Sequence, residues 1–120
     1  MKQVQTYILF MELPDNQMIL FKIGKSKDIA SRLRHHKSSN PLITSVYIFD
    51  DNVEKYLHWC FEDYRMFEDK KREWFFSKLN QKKILDLITN AYKYLIESDK
   101  CCEYSASKQY KEMLKTRINE

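Results

Sequence analysis

The chain has 120 residues, 43% of them hydrophobic and 14% aromatic, which fits one compact domain and excludes separate binding and catalytic modules. Its formal net charge of +4 is far below that of a histone-like protein, and its single Gly and two Pro disfavour an all-β sandwich with many tight turns. Helices combined with a few strands fit this composition better.

Two short apolar runs open the chain, Val4 to Met11 and Met18 to Gly24, and both are rich in β-branched and aromatic residues. Pro14, Asp15 and Asn16 supply turn chemistry between them, so the sequence predicts a β-hairpin. The first run is too short and too often interrupted by polar residues to be a secretion signal or a membrane span. We expect a soluble cytoplasmic or nuclear protein.

A basic helix and a third strand follow the hairpin. Asp28 is suited to cap a helix through about His36 or Lys37. Ser38 to Pro41 stop this helix, because the residue before a proline is pushed out of the helical region. Ile43 to Phe49 then predicts a strand. The segment from Lys22 to Lys37 holds six Lys or Arg residues and one Asp. Such a segment suits contact with phosphates, and a solvated helix face is the alternative. The nucleic-acid contacts we predict here are Lys25, Lys27, Arg34 and Lys37.

The second half of the chain is predicted to be mostly helical. Asp51 or Asn52 is suited to cap a helix. Its apolar stripe comprises Val53, Tyr56, Leu57, Cys60, Phe61 and Tyr64. Glu73 to Phe76 indicates an extended or turn-like segment, and Ser77 is suited to cap the long helix that follows. A last amphipathic helix is predicted from about Tyr104 to Ile118.

The predicted fold class is α+β, with the hairpin and the third strand forming a small three-stranded antiparallel sheet flanked by helices. The polar stretch from Ser98 to Ser107 is the one candidate boundary in the chain. We therefore expect a domain over residues 1–97 and a C-terminal helical extension over residues 98–120. The three cysteines have no framework spacing, which indicates a reducing compartment.

Candidate site residues lie near the two predicted helix starts. Gly24 is the only glycine and ends a strand, where a backbone turns sharply or is approached closely. Arg32 and His36 are four residues apart and so share one helix face. Glu54 and His58 share a face of the next helix and are suited to bind one divalent metal together. Alternatively, the glutamate binds it with water molecules, as Mg²⁺ prefers, or the pair is a simple surface ion pair.

Several short motifs occur in a characteristic order. They are Tyr7-Ile8, Lys22-Ile23-Gly24, Arg32-Leu33 with His36, Glu54-Lys55-Tyr56-Leu57-His58, and Glu73-Trp74-Phe75. This order resembles the GIY-YIG nuclease superfamily over about residues 4 to 80, and most of all a branch found in phages, large viruses and bacteria. Two departures stand out. Thr6 replaces the Gly of the first motif, and Lys22 replaces the Tyr of the second.

The resemblance implies a metal-dependent endonuclease. Glu54 would bind Mg²⁺ or Mn²⁺, Arg32 would hold the scissile phosphate, and Tyr7 would orient or activate the attacking water. Lys22 and His36 would assist. A phenol has an unperturbed pKa of about 10, so Tyr7 needs a nearby cation such as Lys22 to act as a base at neutral pH.

Three functions compete at this point. The first is a DNA endonuclease with low sequence specificity or a preference for nucleic-acid structure, RNA being a further possible substrate. The second is a catalytically inactive nucleic-acid binder, suggested by Lys22. The third is a viral protein-interaction factor or homodimer that uses the last helix. Its proposed face comprises Tyr110, Met113, Leu114, Arg117 and Ile118. For Glu73 to Phe75 we expect a structural role, with the aromatic residues closing the core beneath the sheet and Glu73 paired with Arg65 or Arg72.

Overall fold

The computed structural model describes residues 3–12, 19–39, 43–64, 74–97 and 103–118. These ranges contain four strands and four α-helices in an α+β arrangement, which confirms the predicted class. In chain order they are β1 (Gln5–Glu12), β2 (Ile19–Ser26), α1 (Ile29–Ser39), β3 (Ile43–Phe49), α2 (Glu54–Cys60), β4 (Trp74–Ser77), α3 (Gln81–Glu97) and α4 (Glu103–Ile118). A short 3₁₀ turn follows α2. None of the helices described is both long and apolar enough to cross a membrane.

The strands form one antiparallel sheet in the order β3-β1-β2-β4. Strands β1 and β2 make the predicted hairpin, and β3 pairs with the other side of β1. The predicted number of three strands was one too few. The fourth strand is β4, which overlaps the segment predicted only to be extended or turn-like. It pairs with β2, from Ile19 opposite Ser77 to Lys22 opposite Trp74.

The two faces of the sheet have different partners because successive side chains of a strand point to opposite sides. On one face, which we call the core face, Ile8, Phe21 and Phe75 lie in a cluster with α2, α3 and α4. The other face, which we call the open face, carries Tyr7 and Leu9 under α1. Helix α1 contributes Ile29 and the partly buried Leu33 to that smaller cluster. The open face therefore has a lighter cover than the core face.

Helix α4 is built into the core. Ala106, Tyr110 and Leu114 are buried in the same cluster as α2 and α3, and the Tyr110 hydroxyl donates to the Leu87 carbonyl oxygen at 2.7 Å. Two residues of the face proposed for a partner, Tyr110 and Leu114, are thus used within the chain. Met113 remains exposed. The side chains of Arg117 and Ile118, and the boundary stretch 98–102, lie outside the described residues.

Two of the three predicted helix caps were wrong. Asp28 does cap α1, accepting from the Ser31 amide at 3.2 Å. The predicted cap of α2, Asp51 or Asn52, makes no such bond. Instead, the Asp51 carboxylate accepts from the Tyr92 hydroxyl of α3, which raises the pKa of Tyr92 to about 12. Ser77 lies inside β4, and α3 is capped by Asn80, whose side-chain oxygen accepts from the Lys83 amide at 2.8 Å.

Thr6 holds the start of α2 in the place of a local cap. Its buried hydroxyl donates to the Asp51 carbonyl oxygen and accepts from the Val53 amide, both at 2.8 Å. Both bonds span more than forty residues of sequence, so they join β1 to the helix start directly. The threonine that departs from the first motif thereby positions α2, and Glu54 is the first residue of that helix.

We predict that Thr6→Val destabilises the protein by about 1 to 3 kcal/mol, because valine keeps the shape but leaves two backbone groups unpaired. The free energy of unfolding in denaturant measures this, and amide hydrogen exchange at Val53 should accelerate. Thr6→Ser keeps the hydroxyl and should keep Val53 protected. Wild-type stability and exchange in Thr6→Val would contradict the role assigned to this hydroxyl.

Candidate active site

The Tyr7 side chain lies directly over Gly24. The two residues are opposite each other in the pairing of β1 with β2, and Tyr7 is 2% exposed. A Cβ atom built on Gly24 would lie 2.5 Å from both Cζ and Oη of the tyrosine. No real Cβ contact is that short, so any other residue at this position displaces the phenol. The only glycine of the chain is therefore required by the position of one hydroxyl group.

Strand β2 and helix α1 bring two more polar groups to this hydroxyl. The Nε2 atom of His36 lies 3.2 Å from the Tyr7 Oη and 3.4 Å from the Lys22 Nζ. We call these three side chains the Tyr7–His36–Lys22 cluster. An ammonium group only donates, so Nε2 accepts from Lys22 when the imidazole carries its proton on Nδ1, and it donates to Tyr7 Oη in the other tautomer. The cluster can thus hold a proton on either side of the Tyr7–His36 contact.

Lys22 is a buried cation in the middle of the open face. It is 8% exposed, and its ammonium lies 5.9 Å from the centroid of the Trp74 ring on β4. An aromatic face attracts a cation at this range. Lys22 therefore joins the cluster to β4, and its charge lies where negative charge on the Tyr7 oxygen would be stabilised.

No hydrogen bond or ion pair joins Arg32 or Glu54 to the cluster among the described residues. Arg32 is exposed on α1, one turn before His36 and on the same side of the helix. Glu54 is half-buried at the start of α2. Neither the guanidinium nor the carboxylate is hydrogen-bonded or ion-paired within the described part of the chain. Both charged groups are thus available to a ligand.

Helix α2 is hydrogen-bonded to the sheet at two positions, one on either side of Gly24 along the strands. Its start is held by Thr6, which is opposite Lys25, and the His58 Nε2 bonds to the Ile23 carbonyl oxygen at 2.8 Å. Glu54 lies one turn before His58 on the same side of the helix. Helix α2 packs on the core face, so Glu54 begins a helix on the other side of the sheet from the Tyr7 ring.

His58 and Glu54 form no ion pair among the described residues, and their joint binding of a metal stays a prediction. The His58 Nε2 is engaged by the Ile23 carbonyl, and its ring packs edge-on against Phe75 at 5.2 Å. No group of three or more His, Cys, Asp or Glu residues suited to a metal occurs within the described ranges. The alternative in which Glu54 acts with water molecules fits the side chains present, because Mg²⁺ is often held by a single carboxylate and keeps several waters.

The predicted nucleic-acid contacts are exposed wherever their side chains are described. Lys25 at the end of β2, Lys27 in the following turn and Arg34 on α1 are all exposed. The Lys37 side chain lies outside those described. These exposed cations and the buried Lys22 belong to one basic stretch of the chain, which is suited to a polyanion.

Trp74 was assigned to the wrong side of the sheet. Phe75 does close the core, stacked on Phe21 with ring centroids 5.2 Å apart. Trp74 is its neighbour in β4 and points to the open face, beside Lys22. The alternation of a strand was the signal that could have separated the two aromatic residues. Glu73 and its predicted partners lie outside the described residues.

Comparisons with known proteins give one match. A family model described as the T5orf172 domain matches residues 5–91, which is well over half of the chain. The matched segment runs from β1 into α3 and contains every residue of the candidate site. No curated protein and no solved structure matches.

We predict that Gly24→Ala lowers the free energy of unfolding by about 1 to 3 kcal/mol, because the added methyl group collides with the Tyr7 ring. In a Tyr7→Leu background the same change should have little effect, since leucine ends before the ring atoms that collide. A double-mutant cycle measured by denaturant unfolding should give a coupling of about 1 kcal/mol or more. Additive effects of the two substitutions would show that the close approach is not what requires Gly24.

Proposed function

This chain belongs to the T5orf172 domain family, and on that premise we propose that it is a metal-dependent DNA endonuclease of the GIY-YIG type. The family is associated with nuclease-type phage proteins, which is consistent with a nuclease-like or DNA-binding domain. One observation carries the finer proposal. A tyrosine hydroxyl, an imidazole and an ammonium group meet at hydrogen-bond distances above Gly24.

The reaction proposed is hydrolysis of a phosphodiester. A water oxygen forms a bond to phosphorus, the bond from phosphorus to the leaving ester oxygen breaks, and the water gives up a proton. Tyr7 Oη orients the water, passes its own proton to the neutral His36 Nε2 and takes the proton of the water in exchange, while the leaving oxygen takes a proton from solvent. Lys22 stabilises the negative charge that builds on the Tyr7 oxygen as its own proton moves to His36.

Arg32 supplies the positive charge that stabilises the phosphate in the transition state. Hydrolysis concentrates negative charge on the phosphoryl oxygens in the transition state, and a guanidinium binds two such oxygens at once. Arg32 is exposed, lies one turn from His36 and has no competing partner in the described part of the chain. It is therefore able to reach a phosphate bound above the cluster.

Glu54 is the residue proposed to hold a divalent metal, Mg²⁺ or Mn²⁺. Its carboxylate supplies the hard oxygen donor that these ions prefer, and it is not used by another described residue. A bound divalent ion supplies Lewis-acid stabilisation of the phosphoryl and leaving oxygens. Two other carboxylates precede this helix, and both are engaged: Asp51 by Tyr92 and Asp50 by the Gln5 side chain.

A catalytically inactive nucleic-acid binder is the second candidate. It is favoured by the separation of Glu54 from the Tyr7–His36–Lys22 cluster, with which Glu54 has no direct contact among the described residues. It is also favoured by Lys22 itself, which stands where the resemblance calls for a second tyrosine. A protein-interaction role through α4 has less support, because Tyr110 and Leu114 are buried within the chain.

We predict Mg²⁺- or Mn²⁺-dependent cleavage of labelled DNA that falls by about 10²-fold or more in Glu54→Gln and in Arg32→Ala. Single-stranded, duplex and branched DNA should be compared, with RNA alongside. Glu97→Gln is the matched control, because Glu97 is an exposed glutamate at the end of α3 and should retain full activity.

The outcomes of that assay separate the candidates. Equal cleavage by wild type and Glu54→Gln would remove Glu54 from the chemistry. DNA binding without cleavage in any divalent metal would overturn the nuclease and favour the inactive binder. Binding to neither DNA nor RNA would overturn both.

We predict further that Tyr7→Phe lowers the cleavage rate by about 10²-fold while DNA affinity stays within about twofold, because the hydroxyl acts on the water and not on binding. Single-turnover kinetics separate the two quantities. Tyr47→Phe removes the hydroxyl of an exposed tyrosine on β3 and serves as the control. An unchanged single-turnover rate in Tyr7→Phe would exclude Tyr7 as the group that handles the proton.

A further inference from the structure

The open face of the sheet extends beyond the cluster as an aromatic surface on β4. Trp74 and Phe76 alternate with the core residues of this strand and so point to the open face. Trp74 is half-buried and Phe76 is 39% exposed. Large apolar side chains exposed beside a polar site are a common feature of surfaces that bind a ligand.

Trp74 is linked to the candidate site by two short steps. Its ring lies 5.9 Å from the Lys22 ammonium, and that ammonium lies 3.4 Å from His36 Nε2. Lys22 and Trp74 are also directly opposite each other in the pairing of β2 with β4. A phosphate held above the cluster therefore has an aromatic ring beside it, within reach of the adjoining base.

An aromatic ring beside a phosphate site favours one physical state of nucleic acid. Stacking on a base requires a free π-face, and in a duplex the neighbouring base pairs cover both faces. An unpaired base has a free face, whatever its identity. The exposed Lys27, in the turn that follows β2, supplies positive charge for the backbone of the same nucleic-acid strand.

We propose that Trp74 is a base-stacking residue that makes single-stranded or locally unpaired DNA the preferred substrate of this site. The inference rests on the proposed function and deepens it, because it names the substrate class. Trp74 acts on binding and not on the proton or the phosphorus, so it is a specificity-determining residue.

A second aromatic and basic surface provides an internal control. On α4 the exposed Tyr104 has the Lys108 ammonium 4.7 Å from its ring centroid, and it packs edge-on against Trp59. The charges there are largely balanced, since Lys111 pairs with Glu62 and with a second acidic residue. This surface has the same residue types as the Trp74 surface but lacks the cluster.

The test uses tryptophan fluorescence without divalent metal, so it does not depend on catalysis. The chain has two tryptophans, and Trp59→Phe leaves Trp74 as the only one. Adding a thymidine oligonucleotide should quench Trp74, and a long blunt-ended duplex should not. Trp74→Leu should weaken affinity for the oligonucleotide roughly tenfold and leave duplex affinity unchanged, whereas Trp74→Phe should retain most of the affinity. Tyr104→Leu should change neither the oligonucleotide affinity nor the duplex affinity.

Clear results would overturn the proposal. These are oligonucleotide binding without quenching, equal quenching by duplex, no binding of the oligonucleotide, or a loss caused by Tyr104→Leu in place of Trp74→Leu. The quenching measurement keeps Trp74 intact, so it remains decisive if Trp74→Leu fails to fold. Quenching with no cleavage in any metal would support the stacking residue and overturn only the nuclease. Cleavage without quenching would support the nuclease and overturn only the stacking residue.

Discussion

The close packing of the Tyr7 ring on Gly24 is the contact on which the candidate site depends. It requires two adjacent strands in one register, a residue without a side chain on one of them, and a ring whose outer atoms occupy the space this leaves. Because the ring is held in this way, its hydroxyl meets the His36 nitrogen at a defined place. Lys22 then reaches the same nitrogen from the paired strand. One backbone register therefore positions three groups of different chemistry.

Strand β1 organises both sides of the sheet through two neighbouring residues. Thr6 points to the core face and holds the start of α2, while Tyr7 points to the open face and contacts α1 through His36. The threonine is a departure from the family motif that the sequence resembles, yet its hydroxyl has a structural task that a glycine could not perform. The Thr6 hydroxyl bonds to the Asp51 carbonyl oxygen and to the Val53 amide, and these two bonds replace the usual local cap. The helix that carries Glu54 is thereby set by the sheet and not by its own leading residues.

Local chemistry predicted most of the elements, and long-range contacts explain what it missed. The hairpin, the third strand and the Asp28 cap follow from residues close in sequence, so the sequence alone was sufficient. The cap of α2 was missed because Thr6 is more than forty residues away, and Asp51 was already bound to Tyr92. A fourth strand as short as β4 is defined by its partner and not by its own four residues. The side of the sheet that Trp74 occupies could be inferred only after that pairing was known.

The packing of α4 has a consequence for how the module can be moved between proteins. The match to the family model ends at residue 91, but Ala106, Tyr110 and Leu114 fill the same core as the helices before them. The core is therefore built from more of the chain than the matched segment. A segment of this length transplanted into a chimaera without its own fourth helix would bring an apolar face with nothing to cover it. A designer of such a chimaera has to supply a helix with small and aromatic residues at the spacing of α4, whatever the rest of the host contains.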